Sequence, residues 1–199
     1  MEPKVIFLIG SAGSGKSTIG KWIAKEYNYC YLDKDVVCNT FTGALLTSKG
    51  YSPHDRDGCD FYSDVVMDLE YETLLNIAND NLMLGRSVVL DAPFLSYFSR
   101  VAYINELREK YGWNRVKALV LRVVVDFDIL KGRMEARGLD RDVWKLEHWD
   151  TFVQGIKEKQ CLWEDVAVRE YDNSDEEINV EQLHFLLRQD SSHKDITAG

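Results

Sequence analysis

One segment near the N-terminus, residues 5–18, constrains the fold of this chain more than any other part of its sequence. Apolar residues come first, as expected of a buried strand. The run Gly-Ser-Ala-Gly-Ser-Gly-Lys-Ser-Thr follows, and then the apolar spacing of a helix. This order matches the pattern G-x-x-x-x-G-K-[ST], in which backbone N–H groups and a helix N-terminus form a cradle for phosphate oxygens. The sequence therefore predicts a loop that binds a nucleoside triphosphate, formed by Gly10, Ser11, Ala12, Gly13, Ser14, Gly15, Lys16, Ser17 and Thr18.

Two side chains of this loop have predicted chemical roles. Lys16 would place a positive charge on the β- and γ-phosphates, and the Ser17 hydroxyl would be a ligand of Mg²⁺. A glycine-rich turn can also arise by chance, but the strand before it and the helix after it disfavour that interpretation.

The composition is that of an ordinary globular protein. Hydrophobic residues make up 45% of the 199 positions and charged residues 29%, which is enough to form a normal core. The formal net charge of −9 disfavours attraction to nucleic acid or to an acidic membrane surface. The cysteines lack metal-binding spacing and no apolar run is long enough for a membrane span, so we expect a cytoplasmic protein with reduced thiols.

Apolar runs with strand character alternate along the chain with segments of helical periodicity. This alternation predicts an α/β fold with a parallel sheet covered by helices on both faces. We expect one domain over residues 1–190, with the polar residues 191–199 as a disordered tail. In such sheets ligands bind at the carboxyl ends of the strands, so the residues that follow each strand are the candidates for binding and catalysis.

Two segments between the second and third predicted strands differ in character. Residues 39–60 are rich in turn-forming residues, which indicates an insertion with a functional role. Within this insertion, the Arg56 guanidinium could bind an anionic or hydroxylated second substrate. A long helix is predicted next, over residues 62–84, with Val66, Leu69, Thr73, Ile77 and Leu84 on its buried stripe.

Asp33 and Asp35 follow the second predicted strand. If the backbone stays extended there, both carboxylates face the same crevice. Phosphoryl transfer uses carboxylates in two roles, one at Mg²⁺ and one that accepts the proton of the attacking hydroxyl. The alternative is that these acids cap a helix or are solvated. The nearby phosphate-binding loop favours the catalytic interpretation.

Asp91 ends the third predicted strand. The run Val-Val-Leu-Asp has the form of a Walker B segment, whose acid lies near the metal ion. Alternatively, Asp91 caps the next helix, since a proline at position 93 is typical of the start of a helix. The sequence leaves both interpretations open.

A basic segment follows the fourth predicted strand. Arg133, Arg137, Arg141 and Lys145 recur every four residues, so on a continuous helix they would share one face, although a glycine interrupts the pattern. Basic helices that close over a triphosphate neutralise charge on the transferred phosphoryl group. We therefore predict a lid over residues 131–147. The alternative is a solvated face whose charge neighbouring acids balance.

Four segments give the chain a resemblance to known proteins: residues 10–18, 31–35, 85–94 and 133–145. With them the chain resembles the small P-loop kinases of the AAA-type ATP-binding family, which includes gluconate kinase, shikimate kinase, chloramphenicol phosphotransferase and the zeta-toxin-like ATPases. The resemblance implies a P-loop NTPase three-layer sandwich with a parallel sheet of about five strands, an ATP site and a small helical lid.

The same resemblance implies residue roles. The second acid of D-x-D, here Asp35, contacts the acceptor hydroxyl in the family, and the first, Asp33, lies nearer the phosphates. The lid arginines of the family match Arg133 and Arg137. The segment after the third strand, Asp-Ala-Pro-Phe, differs from the Asp-Gly-x-Pro-Arg of nucleotide-binding relatives, so the acceptor is not implied.

These features predict an enzyme that depends on ATP and Mg²⁺ and transfers the γ-phosphate to a hydroxyl of a small metabolite or natural product. One alternative is a polynucleotide, RNA or nucleoside kinase, and the acidic composition disfavours the polynucleotide form. Another is a regulatory module that binds nucleotide without catalysis. The predicted catalytic residues are Lys16, Asp35, Arg133 and Arg137; the predicted metal ligands are Ser17, Asp33 and Asp91; the predicted acceptor contacts are Asp35, Arg56 and Asp91.

Overall fold

The sheet at the centre of the protein consists of short parallel strands, in a computed structural model that describes residues 2–56, 59–139 and 142–188. The strands are β1 (Lys4–Ile9), β2 (Cys30–Asp33), β3 (Val88–Asp91), β4 (Lys117–Val124) and β5 (Ala167–Asp172). Their order across the sheet is β2-β3-β1-β4-β5, with every pairing parallel. The predicted parallel sheet is confirmed.

Helices cover both faces of this sheet, as predicted for a three-layer sandwich. They are α1 (Lys16–Tyr27), α2 (Lys34–Ser48), α3 (Met67–Met83), α4 (Tyr103–Tyr111), α5 (Phe127–Arg137), α6 (Val143–Glu147), α7 (Trp149–Glu158) and α8 (Val180–Arg188). A π-helical turn (Tyr62–Val66) runs directly into α3, and a 3₁₀ turn (Leu95–Tyr97) follows β3.

The central strand β1 is apolar along most of its length because helices pack on both of its faces. Alternate side chains of a strand point to opposite faces. Val5 and Phe7 pack in a cluster with residues of α3 and α4, whereas Ile6 and Leu8 pack with residues of α1 and α8. Burying one such side chain contributes about 1.5–3 kcal/mol, so the strand that leads into the glycine-rich loop is anchored from both sides.

Helix α2 occupies the first part of the predicted insertion. It extends to Ser48, so the prediction of a turn-rich segment over residues 39–60 is wrong up to that point. Cys38, Thr42 and Leu46 are buried at a spacing of four residues, and this packing overrides the local turn preference.

Helix α3 is confirmed as a long helix, but its predicted stripe is confirmed only at Val66. Leu69 and Leu84 are 45% and 73% exposed. From Val66 the buried face continues through Glu70 and Leu74, with further apolar residues at the same spacing of four. A stripe drawn from apolar residues alone misses this face because one of its positions is a glutamate.

The predicted lid segment, residues 131–147, is divided in the structure at the glycine that interrupts its sequence pattern. Helix α5 ends where Gly138 takes a left-handed φ of +56°, and the short helix α6 begins five residues later at Val143. A glycine in this position ends a helix because it has no Cβ to oppose the left-handed conformation. Arg133 and Lys145 therefore lie on different helices.

Two predicted features lie outside the described residues. They are Arg141 of the lid and the tail, residues 191–199. Among the helices of the described ranges, none has the length and apolar composition required to cross a membrane.

Candidate active site

The loop between β1 and α1 takes a backbone conformation that depends on its glycines. Gly13 and Gly15 have φ angles of +84° and +86°. A Cβ at Gly13 would lie 2.8 Å from the Leu130 side chain, and one at Gly15 would lie 2.3 Å from the amide nitrogen of Asn173. The neighbouring side chains would have to move, and the left-handed φ angles strain any residue other than glycine, so the predicted strand–loop–helix unit is confirmed in a geometry that favours glycine.

Lys16 lies at the end of this loop, surrounded by charged groups. Its ammonium donates a hydrogen bond to the Ser11 carbonyl at 2.8 Å. Burial lowers the pKa of Lys16, the charge of Asp91 opposes this effect, Arg137 lowers the pKa further and Asp35 raises it. The loop lysine, two predicted acids and one predicted lid arginine are therefore within electrostatic range of one another.

The loop also holds a polar atom that lacks a partner. Ser14 is fully buried, and its Oγ has no hydrogen-bond partner within the described residues. An unpaired buried hydroxyl costs about 1–3 kcal/mol. A phosphate oxygen bound in the loop would supply the missing partner, so the loop fits a nucleotide phosphate.

The predicted metal ligands offer oxygen atoms, which Mg²⁺ prefers. They are the Ser17 hydroxyl and the carboxylates of Asp33 and Asp91, all of which line the same cleft. In the part of the chain that the structure describes, no cluster of three or more His, Cys, Asp or Glu could hold a metal ion by itself. This donor set therefore fits a Mg²⁺ ion that keeps waters and takes its other ligands from phosphate oxygens.

One cleft of about 1060 Å³ connects the glycine-rich loop with α2, the segment after β3 and helices α6 and α7. Its size is suitable for a nucleotide together with a small second substrate. The structure brings most of the predicted site residues into this cleft. Those that line it are Lys16, Ser17, Asp33, Asp35, Arg56, Asp91 and Arg137.

Arg133 makes its hydrogen bonds elsewhere. Its guanidinium donates to the backbone carbonyls of Asn173, at 2.7 Å, and Asp175, at 3.0 Å. Asn173 in turn donates from its side-chain amide to the Ser14 carbonyl at 2.8 Å. Arg133 therefore supports the segment after β5, and that segment contacts the glycine-rich loop.

Asp33 caps helix α2. Its Oδ1 accepts hydrogen bonds from the backbone N–H groups of Asp35, at 2.9 Å, and Val36, at 3.4 Å. The extended backbone thus ends at Asp33, and Asp35 lies in the first turn of the helix. The prediction that both acids share one face of a strand is wrong, because capping turns the chain between them. Both carboxylates still reach the cleft.

Asp35 is bound by Arg56, the arginine of the predicted insertion. One guanidinium nitrogen lies 3.2 Å from Asp35 Oδ1, and the other donates to Asn39 at 2.6 Å and to Glu70 at 3.1 Å. Burial lowers the pKa of Arg56, but the charges of Glu70 and Asp35 outweigh this effect and raise it. Both terminal nitrogens of Arg56 thus have partners within the protein.

Glu70 is a buried acid that the sequence analysis did not identify. It is fully buried on the inner face of α3, where it forms a short ion pair with the buried Lys34. Its carboxylate also accepts hydrogen bonds from Thr42 at 2.6 Å and Tyr62 at 2.8 Å. Burial raises the pKa of Glu70, but the hydrogen bonds from Lys34 and Thr42 outweigh this effect and lower it, so the group is ionised. In the sequence, Glu70 can be recognised as the one acid in a series of otherwise apolar residues that recur every four positions.

Arg137 reaches the cleft from the end of α5. Its Nε donates to Asp142 Oδ2 at 2.6 Å, and Asp142 is almost fully buried. The Lys145 ammonium lies 3.8 Å from the other oxygen of this acid. Asp142 therefore ties the arginine of α5 to the start of α6.

The fold and the glycine-rich loop define a P-loop domain of the kinase type. A family model described as an AAA domain matches residues 5–158. The chain belongs to this family, and the predicted resemblance is confirmed.

Sequence relatives match a short part of the chain. The shikimate kinase of Vibrio vulnificus (strain YJ016) is 46% identical over 46 residues, which is 23% of this chain and 27% of that enzyme. The chain therefore matches about a quarter of the length of this curated relative. Over that length the similarity supports common ancestry of the matched segment.

Solved structures match over nearly the whole chain. A protein from Chloroflexus aurantiacus has a TM-score of 0.63 and 17% identity, with 94% of each chain covered. A sugar kinase from Janibacter sp. HTCC2649 has a TM-score of 0.61 and 20% identity, with 94% of this chain and 95% of that chain covered. At these identities the likeness shows that the fold is shared.

Proposed function

We propose that this protein transfers the γ-phosphoryl group of ATP to a hydroxyl of a small metabolite or natural product, with Mg²⁺ as cofactor. The observation that carries the proposal is the shared cleft, which contains the glycine-rich loop, Lys16, Asp35 and Arg137. The relatives named above include a shikimate kinase and a sugar kinase, and both names denote small hydroxylated substrates. They support this acceptor class.

In the proposed reaction, the loop and Lys16 bind the triphosphate. Ser17, Asp33 and Asp91 would hold Mg²⁺, directly or through water, and the bound ion would neutralise charge on the β- and γ-phosphates. Arg137 would stabilise the negative charge on the phosphoryl group as it moves. Arg133 would act indirectly, through its hydrogen bonds to the segment after β5.

Asp35 is the proposed base. The acceptor hydroxyl gives its proton to the Asp35 carboxylate as its oxygen forms a bond to the γ-phosphorus. The bond between that phosphorus and the bridging oxygen breaks, and ADP leaves with the electron pair. Arg56 holds Asp35 by one guanidinium nitrogen. Asn39 and Glu70 bind the other nitrogen. We therefore propose that Arg56 orients the base Asp35 and does not bind a negatively charged group of the acceptor.

A screen of metabolite pools tests this proposal. The protein is incubated with Mg²⁺ and ATP, and mass spectrometry detects compounds that gain the mass of one phosphate. Lys16→Ala should lower the yield of any product by about a hundredfold or more, as removal of a positioned transition-state charge does. Lys25→Ala, an exposed position on the same helix and outside the cleft lining, should behave as the wild type.

Two outcomes contradict the proposal. Phosphate gain by an oligonucleotide, with none by small molecules, would favour the polynucleotide kinase alternative. Binding of ATP without phosphate gain by any compound in chemically diverse pools would favour the regulatory module.

A further inference from the structure

Tyr31 connects the two carboxylates predicted to lie near the metal ion. It precedes Asp33 by two residues in β2, so both side chains lie on the same face of the sheet. Its phenol donates to Asp91 Oδ2 at 2.6 Å and lies 3.3 Å from Asp33 Oδ2. Asp33 and Asp91 are opposite each other in the β2–β3 register, so one hydroxyl reaches both.

The fold leaves space for this tyrosine ring. A Cβ added at Gly20 of α1 would lie 2.7 Å from Tyr31 Cε2. The absence of a side chain at Gly20 allows the ring to fit between helix and sheet, and the Lys21 ammonium lies 5.9 Å from its centre. The hydroxyl is therefore held in place by packing of the whole ring.

The hydrogen of the phenol lies toward Asp91. A phenol has one hydrogen to donate, and the 2.6 Å separation from Asp91 Oδ2 is much shorter than the 3.3 Å separation from Asp33 Oδ2. Tyr31 therefore donates to Asp91 and lies beside Asp33.

The hydrogen bonds distinguish the two carboxylates. Asp33 is held by its Oδ1, which accepts hydrogen bonds from the N–H groups of α2, and its Oδ2 lies 3.3 Å from the Tyr31 hydroxyl. Asp91 is held by its Oδ2, which accepts from Tyr31, and its Oδ1 accepts no hydrogen bond from the described residues. The helix that it caps therefore orients Asp33, whereas Tyr31 orients Asp91 and leaves its other oxygen for a cation.

We propose that Tyr31 is a positioning residue for the Mg²⁺ site, which holds Asp91 by one oxygen so that the other is presented to the ion or to its water. This inference rests on the proposed function. Hydrogen-bond partners behind metal ligands fix the orientation of those ligands, and their loss typically weakens metal affinity about 10–100-fold.

The variant Tyr31→Phe tests this role because it keeps the ring in its space beside Gly20 and removes only the hydroxyl. ATP binding is measured by calorimetry over a series of Mg²⁺ concentrations and in EDTA. We expect the Mg²⁺ concentration for half-maximal enhancement of ATP binding to rise about 10–100-fold. ATP affinity in EDTA should stay unchanged, whereas a general structural defect would lower both.

Two further variants complete the comparison. Tyr29→Phe removes a hydroxyl from the same segment, outside the cleft lining, and should match the wild type. Tyr31→4-aminophenylalanine, introduced by codon suppression, restores a donor at the same place and should return the Mg²⁺ requirement toward the wild-type value.

The outcomes separate this inference from the proposed function. An unchanged Mg²⁺ requirement in Tyr31→Phe, beside clear Mg²⁺-dependent ATP binding by the wild type, overturns the role of Tyr31 alone. The absence of Mg²⁺-dependent ATP binding by the wild type overturns the proposed function and this inference together.

Discussion

The two sides of the cleft, which we call the phosphate side and the acceptor side after their proposed ligands, are built in different ways. The phosphate side, residues 10–18, is one continuous segment formed by the glycine-rich loop and the first residues of α1, and its motif predicts binding by backbone N–H groups. The acceptor side consists of side chains from separate segments, namely Asp35, Asn39, Arg56, Tyr62 and Glu70, joined by hydrogen bonds. A backbone site needs only a local conformation, but a side-chain network needs several elements to be packed correctly first.

The difference has a consequence for stability. On the phosphate side, burial disfavours the charged form of Lys16, so this charge lowers the stability of the folded protein when no ligand is bound. On the acceptor side, Glu70 is ionised and satisfied by several donors, and its loss leaves them unpaired. The acceptor side should therefore be the part that stabilises the fold.

The largest expected effect is on the stability of the acceptor side. Glu70→Gln leaves the buried ammonium of Lys34 without its counter-charge, and breaking a buried pair in this way costs about 3–5 kcal/mol. Chemical denaturation measures the free energy of unfolding. Glu72→Gln is the matched control on the same helix, because its partner is an exposed lysine and surface pairs contribute about 0–1 kcal/mol.

Lys16→Ala completes this comparison from the phosphate side. It should leave the free energy of unfolding unchanged or raise it, since a partly desolvated charge is removed. A loss of stability in Lys16→Ala as large as that in Glu70→Gln would contradict the proposed difference between the two sides.

The second prediction separates the two sides by chemistry. Asp35→Asn keeps the shape of the side chain but removes the basic site, so transfer should fall by about a hundredfold or more. The affinity for Mg²⁺ and ATP should change little, because Asp35 contacts Arg56 on the acceptor side. Single-turnover transfer and calorimetric titration measure the two quantities. Full transfer activity, or a loss of nucleotide binding, would show that Asp35 is not the base.

The third prediction concerns the lid. Arg137→Ala should lower the turnover number by about tenfold, with a smaller change in ATP affinity, because its charge acts mainly on the transition state. This loss of turnover should be smaller than for a fully buried donor, because the Arg137 side chain is 30% exposed and also donates a hydrogen bond to Asp142. Steady-state kinetics distinguish the outcomes. A raised KM with unchanged turnover would indicate ordinary ground-state binding.

The smallest expected effect is on nucleic acid binding. With a formal net charge of −9, the protein should bind single-stranded DNA no more tightly than about 10⁻⁴ M at physiological salt, the weak end of non-specific binding. Fluorescence anisotropy with a labelled oligonucleotide measures this affinity. Tight binding that weakens steeply with salt would instead indicate that the phosphate acceptor is a polynucleotide.

Predictions from the sequence hold where structure follows from neighbouring residues. Local patterns indicate the loop, the strands and the acids that follow them, and the structure brings Lys16, Asp91 and Arg137 into one cleft. Such predictions fail where packing reverses a local preference, as in the turn-rich residues that form α2. The inner face of α3 was missed because Glu70 stands among its apolar residues.

By itself, the sequence determined the parallel α/β fold class and the phosphate-binding loop, because the alternation of strands and helices and the loop motif are patterns of residues close in the chain, although the strands themselves pair over long distances in sequence. Only the tertiary structure decided the roles of the other polar groups. Tyr31 meets Asp91 across 60 positions of sequence, and Arg56 meets Asp35 across 21. No spacing rule connects residues this far apart. Their pairing is fixed when sheet and helices pack, and that packing selects which carboxylate is bound by arginine and which by the phenol of Tyr31.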